Sequence, residues 1–235
     1  MKQLLSLVVI ALIILATGCK KVFPDGPAIE ESRTVGDFTR VEAAFSGNVE
    51  FVQNASKSVT VKAADNLQSY IITEVKGTTL VLKTKPNVNI RGGSVTIYVS
   101  NPTINGATLS GSGNISFNTD LNTTSLDLRV SGSGNIYAPK LAAGNLEAEI
   151  TGSGDITIDA GAVTSQDIRI TGNGDYHTQQ MRSEQAKVKV SGSGEAKLWA
   201  DNKLDVQISG SGDVWYSGNP SINTSISGSG KVRKL

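Results

Sequence analysis

Ser131-Gly132-Ser133-Gly134-Asn135 and Thr151-Gly152-Ser153-Gly154-Asp155 are two copies of one phrase, and the reading of that phrase decides the fold. It returns at 110–114, 171–175, 191–195, 209–213 and 227–231, with starts 21, 20, 20, 20, 18 and 18 residues apart. A fixed period of this length marks a repeat architecture. Residues of alternating character precede each copy, as in Leu126-Asp127-Leu128-Arg129-Val130 and Val188-Lys189-Val190. A shorter alternating run follows, as in Ile136-Tyr137-Ala138 and Val214-Trp215-Tyr216. Period two with β-branched residues predicts half-buried strands. The glycines between them predict a corner, by giving positive φ and room for a neighbouring backbone.

Strand, corner, strand and loop in about twenty residues can enclose one coil of a β-solenoid, with coils stacked at about 4.8 Å. The expected class is therefore all-β: a right-handed parallel β-helix, or single-stranded β-solenoid, with about 20 residues per coil. Stacking in register would bring outward residues of opposite charge together. Two places before each corner stand Thr108, Arg129, Glu149, Arg169, Lys189, Gln207 and Ser225. Four places before stand Gly106, Asp127, Glu147, Asp167, Lys187, Asp205 and Asn223, with Asp127 beside Glu147 as a like-charge exception. An antiparallel meander is the competing fold, but it needs different turns at the two ends of each hairpin, whereas one corner type recurs here.

The N-terminus reads as a targeting segment. Met1-Lys2-Gln3 precedes the apolar run 4–16, and Leu15-Ala16-Thr17-Gly18-Cys19 ends it. The run is shorter than the roughly 18 residues that an ordinary membrane span needs. A cysteine directly after Gly18 resembles a bacterial lipobox, which implies a signal peptide over 1–18, lipidation at Cys19 and a protein anchored to a membrane rather than spanning it. Cys19 is the only cysteine, so no internal disulfide can form. Residues 19–34 read as the lipidated N-terminus and a flexible tether. The expected location is an outer-membrane lipoprotein, on the cell surface or the periplasmic face.

Residues 35–108 alternate less regularly and are expected to form irregular N-terminal coils, ahead of the repeat coils of 109–235. Phe45-Ser46-Gly47-Asn48-Val49 reads as a corner shortened by one Gly-Ser pair. A helical turn is expected to open on Asp65, and Lys76-Gly77-Thr78-Thr79 reads as a turn between strands. The opening stretch 38–51 and the phrases Gly111-Ser112-Gly113-Asn114-Ile115, 132–136, 152–156 and 210–214 resemble the head GIN domain family of auto-transporter adhesins. That resemblance spans roughly 35–235 and implies a secreted or lipid-anchored β-helix. It implies no catalytic or binding residues.

The chain carries 22 basic and 21 acidic side chains, and removal of 1–18 takes away Lys2 alone, leaving 21 of each. A neutral surface lacks the basic excess of a nucleic-acid binder. His177 is the only histidine, so no Ser–His pair with a second histidine and no His/Cys metal set can be assembled. No catalytic residue, metal ligand or cofactor is expected. The corner column Asn114, Asn135, Asp155, Asp175, Glu195, Asp213 and Lys231 could offer calcium oxygens. Asn and Asp bonding their own turn backbone is the simpler reading. One outward column stands out as a candidate binding stripe: Ser116, Tyr137, Thr157, His177, Lys197, Trp215 and Arg233. Its Tyr137, His177, Lys197, Trp215 and Arg233 are types that stack on sugars or clasp anions. The expected role is adhesin-like, with a glycan or surface protein as partner. The alternative is a structural envelope protein that could form a homo-oligomer through an uncapped last coil near 222–232. A polysaccharide-active enzyme is the third reading, and no irregular insertion is long enough to build its cleft.

Overall fold

A computed structural model of the chain describes residues 19–235, and its glycine corners lie one above another. The signal peptide expected over 1–18 lies outside the described residues.

The N-terminal part runs β1 (Lys20–Val22), β2 (Ala28–Ser32), β3 (Arg40–Ala44), β4 (Asn48–Gln53) and β5 (Ser58–Ala64). The helical turn α1 (Asp65–Gln68) follows, then β6 (Ile71–Lys76), β7 (Thr79–Thr84), β8 (Val88–Ile90) and β9 (Thr96–Asn101). In the repeats a longer strand alternates with a shorter one. The longer set is β10 (Gly106–Gly111), β12 (Leu121–Gly132), β14 (Leu141–Gly152), β16 (Gly161–Gly172), β18 (Met181–Gly192), β20 (Lys203–Gly210) and β22 (Ser221–Gly228). The shorter set is β11 (Asn114–Phe117), β13 (Asn135–Ala138), β15 (Ile156–Ile158), β17 (Tyr176–His177), β19 (Ala196–Trp199), β21 (Val214–Ser217) and β23 (Val232–Lys234). Each set forms one parallel sheet, and the two sheets face each other across the core. The register is one repeat per step: Arg129 pairs with Glu149, and Glu149 with Arg169. The chain is a parallel β-solenoid.

The two glycines of a corner do different work. The first takes positive φ, +126° at Gly132 and +125° at Gly152. Its carbonyl accepts two N–H groups from the next coil: Ser153 and Gly154 donate to Gly132 at 2.8 and 3.1 Å. The second glycine has no positive φ. A Cβ on Gly154 would instead fall inside the carbonyl of Gly134 one coil below, so close approach excludes every other residue.

Asn48 pairs with Asn114 and Ala43 with Leu109, so the first corner, 44–48, is as long as the others. The shortened corner expected from the sequence is not there. Phe45 simply occupies the place of Gly111, while Gly47 lies under Gly113. The substitution works because Phe45 starts the column and turns its ring into the core, where it is 7% exposed.

Chain order and stack order differ at this end. β3 and β4 form the coil next to β10 and β11, and β7 and β9 lie beneath them in parallel. Antiparallel strands then close the end: β6 on β7, and β5 with β2 on β9. The expected helical turn and the turn at Gly77 (φ +60°) both lie in this closure. The segment expected as a flexible tether is instead pinned to the body. β1 runs parallel to β8, and β2 runs antiparallel to β5, because both present free backbone to existing strand edges.

The core is filled by stacked columns of Ile, Leu, Val and Ala, with Phe51 against Phe117 edge to face at 5.4 Å. The column Leu126, Leu146, Gln166, Ala186, Leu204 carries a buried amide. Gln166 is 2% exposed. It accepts the Tyr176 hydroxyl at 2.9 Å and donates to Ser183 and to the Trp199 carbonyl at 2.8 and 3.0 Å. Tyr176 is fully buried and stands in register beside the small Ala196. Burial pushes its phenol well above the usual tyrosine range.

Two pairs of substitutions test the corner and the buried network. Gly154→Ala is expected to lower stability in chemical denaturation by about 2–3 kcal/mol, an overpacking cost, while Ser153→Ala, one residue away and exposed, stays within about 0.5 kcal/mol. Gln166→Leu is expected to cost about 1–3 kcal/mol, because it strands the Tyr176 hydroxyl in the core, and Tyr176→Phe in the same chain should recover part of that loss.

Candidate functional site

The outer face of the short-strand sheet carries the stripe that the repeat spacing predicts. Ser116 pairs with Tyr137, Tyr137 with Thr157, Thr157 with His177, His177 with Lys197, Lys197 with Trp215 and Trp215 with Arg233. The structure therefore brings all five candidate residues into one column. Neighbours are about 4.8 Å apart, which puts Tyr137 and Trp215 about 19 Å from each other.

The column continues past Ser116 to Glu50 and Tyr98, which repeat spacing alone does not reveal. Tyr98 is 41% exposed and Tyr137 39%. The signals for Tyr98 are its outward place in the alternation of 95–99 and its 18-residue distance from Ser116, but the reordered first coils insert Glu50 between the two. The stripe thus offers exposed rings at Tyr98 and Tyr137 and a half-buried indole at Trp215, with Glu50 between the tyrosines and His177 and Lys197 between Tyr137 and Trp215.

Tyr137, Lys197, Trp215 and Arg233 are held by local contacts. The Tyr137 hydroxyl donates to Asp159 at 2.7 Å, and the carboxylate raises the phenol pKa. Lys197 pairs with Glu195 on its own coil. The Arg233 guanidinium lies 4.9 Å over the Trp215 ring, a cation–π contact. Trp215 Nε1 is buried without a hydrogen-bond partner. His177 borders a hollow of about 70 Å³ with Thr157, Asp159, Gln179 and Gln180. These contacts restrict the Tyr137, Lys197 and Trp215 side chains on the sheet face.

The corner column beside the stripe works differently from the simple turn reading. Its side chains do not bond their own turn. Asn135 Oδ1 accepts the Asp155 N–H at 2.9 Å, Asp155 that of Asp175 at 2.9 Å, and Asp175 that of Glu195 at 2.8 Å. None of these residues has positive φ, so left-handed geometry is left to the glycines. One oxygen each of Asp155, Asp175 and Asp213 accepts in the ladder between coils, and the Glu195 carboxylate pairs with Lys197. Among the described residues no three His, Cys, Asp or Glu side chains gather as a metal set.

On the opposite sheet the charged columns lie as the spacing predicts. Arg129 pairs with Glu149 at 2.9 Å. Arg169 reaches diagonally to Glu147 at 2.7 Å rather than sideways to Glu149. The like-charge contact of Asp127 with Glu147 is relieved by Arg40 and Arg129, both of which pair with Asp127. Cys19, the lipidation candidate, is exposed at the start of β1.

Comparison with known proteins adds a family and a set of folds. The family model described as "Putative auto-transporter adhesin, head GIN domain" matches residues 37–220. A "putative adhesin" from Bacteroides fragilis is similar with a TM-score of 0.87 at 24% identity, covering 91% of this chain and 100% of that one. A "putative adhesin" from Parabacteroides distasonis has a TM-score of 0.75 at 27% identity, covering 92% of this chain and 100% of that one. A "putative lipid binding protein" from the same species has a TM-score of 0.78 at 24% identity, with coverage of 92% and 100%. Comparison with curated proteins finds no match.

The Tyr137–Asp159 contact makes a prediction about titration. A tyrosine whose folded pKa is raised adds stability below about pH 10, its unfolded value, and loses it as pH rises through the folded value. In an ultraviolet titration, the difference between wild type and Tyr137→Phe is expected to show a phenol ionising above pH 10. Asp159→Asn should bring that step back toward pH 10.

Proposed function

We infer the role from one premise: this chain belongs to the head GIN domain family, whose model spans 37–220 and is described in terms of adhesion. On that reading it is an adhesin-like protein of the cell envelope, lipid-anchored through Cys19, and not an enzyme. Its partner is a glycan or a surface protein held against the outer face of the short-strand sheet.

The observation that carries the reading is the unbroken outward column from Tyr98 through Tyr137 to Trp215 and Arg233. Aromatic contact points about 14 and 19 Å apart, at roughly 4.8 Å per coil, suit an extended ligand lying along the solenoid axis. Binding of this kind comes from area and repetition, with weak contacts adding along one polymer.

A second reading, self-assembly, has its own observation. β22 is exposed along its whole length, and Ile222 and Ile226, which continue the core columns of Leu204 and Ile208, are 42% and 44% exposed. β22 also lacks any charged residue, the usual protection of an edge strand.

Two experiments separate the readings. In a glycan array and a pull-down from envelope extracts, Tyr137→Ala with Trp215→Ala is expected to abolish binding while circular dichroism stays unchanged; retained binding would remove the stripe from the account. Light scattering at rising concentration should show association that Ile226→Asp eliminates if the last coil assembles, and a constant mass if it does not.

A further inference from the structure

The pinning of the N-terminal segment gives the molecule a defined face where the chain enters it. β1 lies on β8, and the Arg91 N–H donates to the Val22 carbonyl at 2.8 Å, so residues 20–23 and 88–91 form one surface. Cys19 borders a hollow of about 470 Å³ there, beside Phe45, Val88, Ile90 and Val95. Whatever holds the N-terminus to a bilayer, acyl chains on Cys19 or the apolar run 4–16, delivers that bilayer to this face.

The chemistry of the face fits such a neighbour. Segments 19–25 and 85–93 carry four basic side chains, Lys20, Lys21, Lys85 and Arg91, against one acid, Asp25. The chain beyond residue 18 as a whole is balanced at 21 and 21. All four basic residues are exposed. Lys20 and Lys85 are gathered over one ring, with their Nζ atoms 5.0 and 5.9 Å from the Tyr70 centroid, and Lys20 also donates to the Tyr70 hydroxyl at 2.8 Å. Phe23 is 64% exposed, the most of any large apolar side chain described, although its backbone is fixed by Asn66 at 2.9 Å. A rigidly held phenylalanine in water, flanked by lysines and an arginine, is the composition of a membrane-surface contact.

We propose that the face built from β1, β8 and Phe23 docks on a bilayer surface bearing anionic phospholipid. Phe23 enters the headgroup region, and Lys20, Lys21, Lys85 and Arg91 meet the phosphates. The body then sits against the membrane instead of swinging on a leash. From β10 the stack extends six steps to β22, about 29 Å at roughly 4.8 Å per step, so the last coil and the membrane-facing segment lie far apart along the molecule. The proposal rests on the anchored reading of the N-terminus, and the test keeps the two apart.

Full-length protein is reconstituted into vesicles of phosphatidylcholine, with or without about 30% phosphatidylglycerol, each containing brominated lipid as a contact quencher. The reporter is the fluorescence of Phe23→Trp minus that of wild type. Quenching of about twofold or more is expected with phosphatidylglycerol, reversed by high salt and by combined Lys20→Gln, Lys21→Gln, Lys85→Gln and Arg91→Gln. An unquenched reporter in both vesicle types would overturn the proposal. So would a quenched Ile226→Trp in its place, which would put the opposite end of the stack on the bilayer. Flotation of Cys19→Ser beside wild type reads the anchor separately. Wild type that floats on both vesicle types with an unquenched reporter keeps the anchor and sinks the docking face. Wild type that floats only with phosphatidylglycerol, and is quenched there, sinks the anchor and keeps the face.

Discussion

The structure depends on one carbonyl repeated up a column. At each corner the first glycine offers its oxygen to two N–H groups of the coil above, and the second glycine brings the backbones close enough for that to happen. A backbone group left unpaired in so tight a corner would be costly, so the doubly accepting carbonyl fixes the height of each step and the rotation between steps. Everything outward follows from that register. The Asn and Asp ladder, the charged columns and the aromatic stripe are all consequences of residues a repeat apart being made neighbours. A side chain's role here is set less by what precedes it in the chain than by what lies a coil away.

The division of labour between the two sheets has the same origin. The long strands carry charges of both signs, and Arg40, Arg129 and Arg169 pair with carboxylates of other coils on that face. The short strands carry aromatic, hydroxyl and basic groups in a line, with few partners beyond their own coil. One sheet stabilises and the other is open to a partner. The corner aspartates Asp155, Asp175 and Asp213 also stabilise the stack, each with one oxygen accepting a backbone N–H of the following coil.

Most of the repeat region was legible because its signal is redundant: seven copies of a corner, each at the same offset from alternating strands, place every outward residue by counting. Counting fails where the chain stops stacking in order. β3 and β4 lie between β7 and β9 on one side and β10 and β11 on the other, so Tyr98, which counting would set directly beside Ser116, lies two steps from it with Glu50 between them. Phe45 was misread because a corner glycine is demanded only where a coil lies beneath in the repeat geometry. Gln166 was missed for a different reason. Inside a column its polarity is answered by Tyr176, Ser183 and Trp199, partners 10, 17 and 33 residues away that no local pattern announces. The pinned N-terminal segment hid in the same way: its short strands find edges created by strands more than thirty residues downstream.

The two ends of the stack are closed unequally, and this gives the molecule a direction in which it comes apart. In a linear array each unit is held by its neighbours on either side. The coil of β22 and β23 has a neighbour on one side alone, while the first coils are locked by strands running against the grain. Thermal opening therefore begins at the C-terminal rung and travels inward, each lost coil baring the next hydrophobic floor. The opposite end acts as a doorstop, holding the last folded coils until the whole column gives way.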